Sequence, residues 1–229
     1  MNQKRVLVIQ HIDIETPGII LDLMSNKEIS FDCIKIENYE GNLLNYDGLL
    51  IMGGPMSVNE KDQYSFIESE INLVKHYIKL KKPILGICLG SQIIASALNS
   101  NIYKNSKQEL GWHNISLFQT EGTIFENLDN DFLAFHWHGD IFNLPDSSVK
   151  LASSKISKIQ AFVFQNNCYG ILFHLEITNE IVQNIVDNFE SDLISESIDK
   201  SIILSNLEDN ITKVNTNGKI IFNRWLDLI

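Results

Sequence analysis

The sequence has few cysteines, no long apolar run and less positive than negative charge. Its three cysteines, Cys33, Cys88 and Cys168, lack paired or metal-ligand spacing, which argues against a disulfide framework and a zinc knuckle. No apolar stretch approaches the roughly 18–20 residues of a membrane-spanning helix, and the run from Met1 to Gln10 has no small-residue cleavage site. We therefore expect a cytoplasmic protein with reduced thiols and no membrane partner.

The shortage of positive charge bears on possible partners. Lysine and arginine number 18 against 29 acidic residues, for a net charge of -11. Nucleic-acid binding needs a basic face that neutralises phosphates, so we expect no nucleic-acid partner. The sequence has no glycine-rich loop that ends in Lys-Ser or Lys-Thr, which is the kind of loop that binds nucleotide phosphates. With 44% hydrophobic residues, the 229-residue chain can bury one full core, and we expect one domain over 1–229.

Strand-like and helix-like segments alternate in the first part of the chain. The strand-like segments are 5–10, 31–36, 47–52 and 83–87. Most are near-continuous apolar runs, as expected of parallel strands covered on both faces. A helical pattern follows Pro17, and another covers 64–80. The alternation predicts an α/β fold with a mostly parallel central sheet between helices.

The rest of the chain changes character twice. Between 101 and 173 the apolar segments are short, at 115–118, 132–137, 149–152, 159–164 and 169–173. Asn166-Asn167 is a hairpin signal, so we expect antiparallel strands added to the parallel sheet. Beyond Thr178 the pattern is helical, with a C-terminal helical extension at about 196–229 that includes a helix around 198–207. We expect Asn217-Gly218 to break the chain before a last short segment, whose Trp225 packs in the core.

Cys88 stands at the junction of a predicted strand and a predicted helix, in Gly86-Ile87-Cys88-Leu89-Gly90. This pattern indicates a nucleophile elbow, where a sharp turn lifts the thiol clear of the sheet and small neighbours permit the strained backbone. Helix dipoles at that position favour a thiolate. A buried core cysteine is the alternative interpretation, and the two glycines favour the elbow.

A cysteine nucleophile needs a base, and the base needs an orienting group. His174 and Glu176 end the last strand-like run. In extended chain, residues i and i+2 point to the same side, so Glu176 is placed to hydrogen-bond the His174 imidazole. The alternative is that both are ordinary loop residues.

Three motifs in this order resemble the class I (triad-type) glutamine amidotransferase domain over nearly the whole chain. They are Gly53-Gly54-Pro55, the elbow through Ser91-Gln92, and His174-Leu175-Glu176. Two further segments are similar to its stand-alone, GMP-synthase-like branch: Glu109-Leu110-Gly111-Trp112, and His136-Trp137-His138-Gly139-Asp140 before Leu144-Pro145. The family commonly has proline where this chain has Leu175. The resemblance implies a flavodoxin-like three-layer sandwich.

The resemblance also implies roles for individual residues. Cys88 attacks the side-chain amide of glutamine, His174 moves protons and Glu176 orients His174. Backbone N–H groups of Gly54 and Leu89 form the oxyanion hole. The residues expected to contact substrate are Gly53, Gln92, His138, Gly139 and Asp140. No cofactor and no metal are expected, and a synthetase subunit that accepts ammonia is a possible partner.

Three other functions remain open at this point. A stand-alone γ-glutamyl peptide hydrolase uses the same Cys-His-Glu triad and differs only on the leaving-group side of the pocket. A metal-dependent hydrolase would use His136, His138 and Asp140, whose spacing suits zinc. In a redox sensor or pseudoenzyme, Cys88 reacts without needing His174.

Overall fold

The computed structural model describes residues 3–36 and 42–229; residues 1, 2 and 37–41 of the predicted domain lie outside the described part. Nine strands in that part form one mixed sheet: β1 Arg5–Ile9, β2 Ser30–Ile34, β3 Gly48–Ile51, β4 Ile84–Ile87, β5 Ile102–Leu117, β6 Asp131–Phe142, β7 Val149–Ser153, β8 Ala161–Phe164 and β9 Cys168–Ile171. The α-helices of the same part are α1 Ile19–Asn26, α2 Phe66–Lys79, α3 Leu89–Ala97, α4 Asn179–Asn188, α5 Glu190–Ser195, α6 Lys200–Leu204 and α7 Leu207–Leu226.

The sheet has a parallel half and an antiparallel half. Its strand order is β2-β1-β3-β4-β9-β8-β7-β5-β6. The pairs from β2 to β9 are parallel, and those from β9 to β6 are antiparallel. The predicted mixed sheet is confirmed, and β9 joins the two halves because it pairs with both β4 and β8.

Alternating residues of the parallel strands enter two different cores, which explains their unbroken apolar runs. In β1, Val6 and Val8 pack in one core with residues of α1, α4 and α7. Leu7 and Ile9 pack in the other core with residues of α2 and α3. Helices therefore cover both faces, and the predicted three-layer α/β sandwich is confirmed.

The C-terminal helices differ from the prediction. The helix expected around 198–207 is shorter than predicted and corresponds to α6 alone. Asn206, which lies in the left-handed region at φ 53°, precedes α7. The predicted break at Asn217-Gly218 is wrong, because α7 is continuous through both residues. Because Gly218 has no side chain, α7 can pack closely against its neighbours at this position. Trp225 is fully buried, as predicted.

The antiparallel half also extends further than predicted. β5 and β6 pair over most of their lengths as a long hairpin, with a register shift between Lys104 and Glu109. The polar N-terminal half of β5 carries no apolar pattern, which is why the sequence indicated only 115–118. The helix α7 packs against α1 and β6, which supports our proposal that the extension belongs to the same domain. No helix in the described ranges combines the length and apolar character needed to cross a membrane.

Candidate active site

The turn between β4 and α3 has the strained geometry of a nucleophile elbow. Cys88 has φ 51° and ψ -110°, a conformation that side-chain-bearing residues rarely adopt. Its N–H donates to the Ile171 carbonyl at 2.8 Å, which ties the elbow to β9. A Cβ atom on Gly90 would lie 2.2 Å from the Ile51 carbonyl oxygen. Glycine is therefore needed there for the helix to approach β3 so closely.

The predicted base and orienting group lie beside this thiol. His174 follows β9, and its backbone exchanges two hydrogen bonds with Phe135 of β6, at 2.8 and 3.3 Å. Its Nδ1 lies 2.7 Å from Glu176 Oε1, and the imidazole also makes a hydrogen bond with the Cys88 side chain. All three side chains are buried. The structure thus brings together the three residues predicted as a triad.

The electrostatics of the site favour a protonated imidazole. Burial lowers the pKa of His174, but the Glu176 carboxylate and the hydrogen bonds with Cys88 and Glu176 together raise it well above its ordinary value. The second carboxylate oxygen, Glu176 Oε2, accepts a hydrogen bond from the Leu175 N–H at 2.9 Å. Proline has no N–H to donate, so a proline at this position could not anchor the carboxylate in this way.

Two distant helices hold the backbone of this segment. The Ile19 N–H, at the start of α1, donates to the Glu176 carbonyl at 3.0 Å. On α7, a Cβ atom at Gly218 would lie 2.5 Å from the Leu175 carbonyl oxygen. The helix α7 therefore contacts the Leu175 backbone directly, which explains why its middle contains a glycine.

A cavity of about 470 Å³ opens beside Cys88, and Gly54 lines it as well. Gly54 and Leu89 are the two predicted oxyanion-hole donors. Among residues 3–36 and 42–229, neither backbone N–H has a hydrogen-bond partner. Two such N–H groups at the nucleophile are what a developing oxyanion requires.

The structure places four of the five predicted substrate contacts at the cavity. Gln92, His138, Gly139 and Asp140 line the cavity. The Gln92 Oε1 atom is buried and has no partner within the described part of the chain, so it is available to a ligand N–H. The fifth, Gly53, is not among the residues of the described part of the chain that line the cavity. Its carbonyl oxygen is instead hydrogen-bonded to His11.

A buried polar cluster under the cavity contains two of the three predicted metal ligands. His136 Nδ1 lies 3.4 Å from His138 Nε2, which lies 3.7 Å from Glu109 Oε2. Asp140 instead accepts a hydrogen bond from Ser57, at 2.5 Å. The cluster that the structure assembles therefore contains Glu109 in place of Asp140.

The donors around this cluster favour a hydrogen-bond network. Ser157 and Gln160 both donate to Glu109 Oε2, Gln160 at 2.8 Å. A cation bound to that oxygen would have to displace these donors, so the donor set fits a metal poorly. Burial and the neighbouring histidines lower the pKa of His138 to about 3, so this imidazole is neutral at pH 7.

Sequence reasoning missed three charged residues near the site. Glu15 lines the cavity, interacts electrostatically with His174 and is buried, which raises its pKa. His11 and Glu70 form a buried pair behind Gly53. A signal existed for His11 and Glu15, because both follow β1 and the carboxyl ends of parallel strands are where such sheets bind ligands. Glu70 lies on α2, 59 residues from His11, and has no such signal.

The fold and site define an α/β protein with a buried cysteine nucleophile elbow backed by a histidine–carboxylate pair. Residues 20–192 match the family model described as glutamine amidotransferase class-I. The chain therefore belongs to the class I glutamine amidotransferase family. This confirms the family inferred from the sequence motifs, together with the expectation of an amidotransferase-type enzyme.

Individual relatives agree with this. The chain is 27% identical over 189 residues to the glutamine amidotransferase-like protein YfeJ of Salmonella typhimurium, covering 78% of each chain. It is 37% identical over 139 residues to one subunit of the glutamine-hydrolysing GMP synthase of Sulfolobus acidocaldarius, covering 59% of this chain and 70% of that one. It spans a quarter of the full-length GMP synthases that it matches. A glutamine amidotransferase structure from Thermotoga maritima superposes with a TM-score of 0.90 at 27% identity, covering 99% and 100% of the two chains.

Proposed function

We propose that this protein hydrolyses the side-chain amide of glutamine through a cysteinyl γ-glutamyl thioester. The observation that carries the proposal is the alignment of Cys88, His174 and Glu176. His174 Nδ1 is held 2.7 Å from Glu176 Oε1, and the imidazole hydrogen-bonds the thiol at the edge of the cavity. An orienter, a base and a nucleophile in hydrogen-bonded series are the requirements of covalent amide hydrolysis.

The first half-reaction forms the thioester and releases ammonia. The Cys88 thiolate attacks the amide carbon of glutamine, and the carbonyl oxygen becomes an oxyanion facing the N–H groups of Gly54 and Leu89. The His174 imidazolium gives its proton to the leaving nitrogen as the carbon–nitrogen bond breaks. In the second half-reaction water attacks the thioester, His174 accepts its proton, and glutamate leaves with the thiolate restored.

The side chains that line the cavity are suited to hold the substrate. The buried Gln92 Oε1 accepts an N–H of the ligand, and Asp140, on the same wall, binds its amino group. This assignment agrees with the roles that the family resemblance implies for these positions.

The fate of the ammonia is the finer part of the proposal. Two relatives are each named as one subunit of a GMP synthase, so each is part of a larger synthetase. We propose that a separate synthetase subunit docks near the cavity and consumes the ammonia.

A γ-glutamyl peptide hydrolase is the second candidate, because the cavity has room for a leaving group larger than ammonia. The cavity volume of about 470 Å³ lies in the range of pockets that hold drug-sized ligands, roughly 300–1,000 Å³, and exceeds the needs of glutamine alone. Side chains of both charges line it, among them Lys104, Lys107, Asp192 and Glu196. A zwitterionic peptide leaving group would also fit such a wall.

Glutamate release by the isolated chain from glutamine and from a γ-glutamyl dipeptide, measured side by side, tests both candidates. We expect higher kcat/KM with glutamine. A dipeptide preference of about tenfold or more, which is about 1.4 kcal/mol in the barrier, would instead identify the hydrolase. The Cys88→Ala variant is the blank. The proposed function would be contradicted if the chain released glutamate from neither substrate, both when assayed alone and when assayed with lysate fractions that contain a synthetase.

Replacing Glu176 by glutamine tests the role of the carboxylate. Because Glu176 raises the pKa of His174, its neutralisation lowers that pKa, and the imidazolium that protonates the leaving nitrogen is lost at lower pH. We expect the alkaline limb of the kcat/KM profile to move to lower pH and kcat to fall by about 10²-fold or more. The matched control is Glu180→Gln, which neutralises an exposed carboxylate on α4. An unmoved alkaline limb would contradict the assignment.

A further inference from the structure

A buried charged pair lies directly behind the predicted oxyanion hole. His11, two residues after β1, places Nδ1 2.8 Å from the Gly53 carbonyl oxygen. Its Nε2 lies 3.0 and 3.2 Å from the two carboxylate oxygens of Glu70 on α2. The His11 side chain is 2% exposed and that of Glu70 is completely buried. The pair therefore connects α2 to the loop after β3 through a series of hydrogen bonds.

The protonation state of His11 follows from its partners. A carbonyl oxygen only accepts hydrogen bonds, so Nδ1 carries a proton, and the Glu70 carboxylate accepts from Nε2–H. Burial lowers the pKa of His11, but Glu70 and the Gly53 carbonyl outweigh this and raise it. Buried ion pairs are costly to desolvate and are weak evidence for a purely stabilising role. A functional reason for this pair must therefore be sought at the loop that it contacts.

The carbonyl that His11 holds belongs to the peptide unit whose N–H is that of Gly54. The peptide bonds of the described residues are all trans, so this C=O and N–H point in opposite directions. When the oxygen is bound by His11, the Gly54 N–H is directed away from His11. Gly54 also lines the cavity beside Cys88. The orientation of this peptide plane therefore decides whether the Gly54 N–H can serve as an oxyanion donor.

A peptide unit between two glycines rotates easily, because neither residue has a Cβ atom to restrict its dihedral angles. The hydrogen bond from His11 opposes that rotation. An imidazolium on the carbonyl oxygen also polarises the peptide and strengthens its N–H as a donor, since linked hydrogen bonds reinforce one another. Both effects act on the oxyanion hole and not on the thiol.

We infer that His11 and Glu70 are positioning residues that hold the Gly53–Gly54 peptide with its N–H toward the oxyanion. The inference rests on the proposed function, because it requires an acyl-transfer reaction at Cys88. Glu70 fixes the imidazole, the imidazole fixes the Gly53 carbonyl, and the carbonyl fixes the direction of the Gly54 N–H.

This role predicts a particular pattern of kinetic effects. An oxyanion exists only in the transition state and the tetrahedral intermediate, so a misdirected N–H lowers kcat and leaves KM nearly unchanged. Alkylation of Cys88 by iodoacetamide forms no oxyanion. Its rate reports the nucleophile and its base, and it is expected to stay within about twofold of wild type in the same variants.

Two double variants separate this role from simple loss of folding. Removing one member of a buried ion pair leaves an uncompensated charge, so both members are changed together. His11→Leu with Glu70→Leu removes the imidazole donor to the Gly53 carbonyl. His11→Asn with Glu70→Gln is the matched control, because the asparagine amide lies near the former Nδ1 position and still donates. Folding is checked by thermal unfolding. Alkylation is read on the Cys88 peptide by mass spectrometry, because the exposed thiol of Cys33 reacts with the reagent as well.

For the leucine variant, we expect kcat for glutamine to fall by about 10- to 100-fold, with KM within about twofold and Cys88 alkylation unchanged. The asparagine–glutamine variant is expected to keep kcat within about threefold of wild type. A folded leucine variant with wild-type kcat would overturn the inference. So would an equal loss of alkylation, because the pair would then act on the thiol. Failure of the proposed function is distinct: the wild type itself would release no glutamate above the Cys88→Ala blank.

Discussion

Replacing Cys88 by alanine is expected to abolish glutamate release while leaving the fold intact. In the proposed mechanism the Cys88 sulfur forms the covalent intermediate, so its removal leaves no partial route. We expect a loss of about 10⁵-fold or more, to the background of the assay. The measurement is glutamate release at saturating glutamine, with thermal unfolding recorded on the same samples.

The Cys88→Ala variant is expected to keep the wild-type fold. Cys88 keeps its φ of 51° because the Ile171 hydrogen bond and the close contact of Gly90 with β3 hold it there. Alanine keeps the Cβ atom at this position and leaves those restraints unchanged. The matched control is Cys33→Ser, which removes an exposed thiol on β2 and is expected to leave kcat unchanged. Normal turnover by Cys88→Ala would refute the assignment of the whole site.

The His174→Ala variant tests the redox-sensor hypothesis. A sensor thiol would react equally well with and without His174, whereas an enzyme nucleophile depends on its base. We expect His174→Ala to reduce both turnover and the alkylation rate of Cys88, since the imidazole hydrogen-bonds the thiol and is held in its protonated form. Equal alkylation of wild type and His174→Ala would support the sensor.

Gly218→Ala is expected to destabilise the protein and slow the enzyme, although alanine is the better helix former. In an exposed helix this substitution adds about 1 kcal/mol of stability. Here the new Cβ atom would lie 2.5 Å from the Leu175 carbonyl oxygen and 3.1 Å from the Leu175 Cβ. A backbone oxygen cannot swing aside like the end of a side chain, so either α7 or the segment from His174 to Glu176 must move.

We expect unfolding free energy to fall by about 1–3 kcal/mol in Gly218→Ala, the usual cost of overpacking. Displacement of the catalytic segment is expected to lower kcat by roughly 10- to 100-fold, because small errors in placing a base are costly. Chemical denaturation and steady-state kinetics measure the two effects. Asn217→Ala, one residue away on the same helix, is the matched control and should be neutral or stabilising. A stabilised, fully active Gly218→Ala protein would show that α7 does not support the site.

Much of the candidate site was predictable because its signals are local. The elbow requires small residues beside the cysteine, and the i, i+2 spacing places His174 and Glu176 on one side of an extended chain. The parallel strands were also predictable, since burial on both faces produces unbroken apolar runs. The motif order then identified the family, which the comparison over residues 20–192 confirmed.

Other features depend on contacts between segments that are far apart in the sequence. The pairing of His11 with Glu70, the inclusion of Glu109 in the histidine cluster and the exclusion of Asp140 from it all required the folded chain. The continuity of α7 is the plainest example, because Asn217-Gly218 carries a strong local turn signal.

Local signals therefore predicted the α/β class, the candidate nucleophile and its histidine–carboxylate pair, because each depends on backbone geometry and periodicity within a few residues. The surroundings of these residues depend on the folded chain: which carbonyl His11 holds, which helix supports Leu175, and which side chains line the cavity. Those contacts form only when packing brings distant segments together. A glycine that breaks a helix in isolation is retained in α7, where its missing side chain allows two backbones to meet.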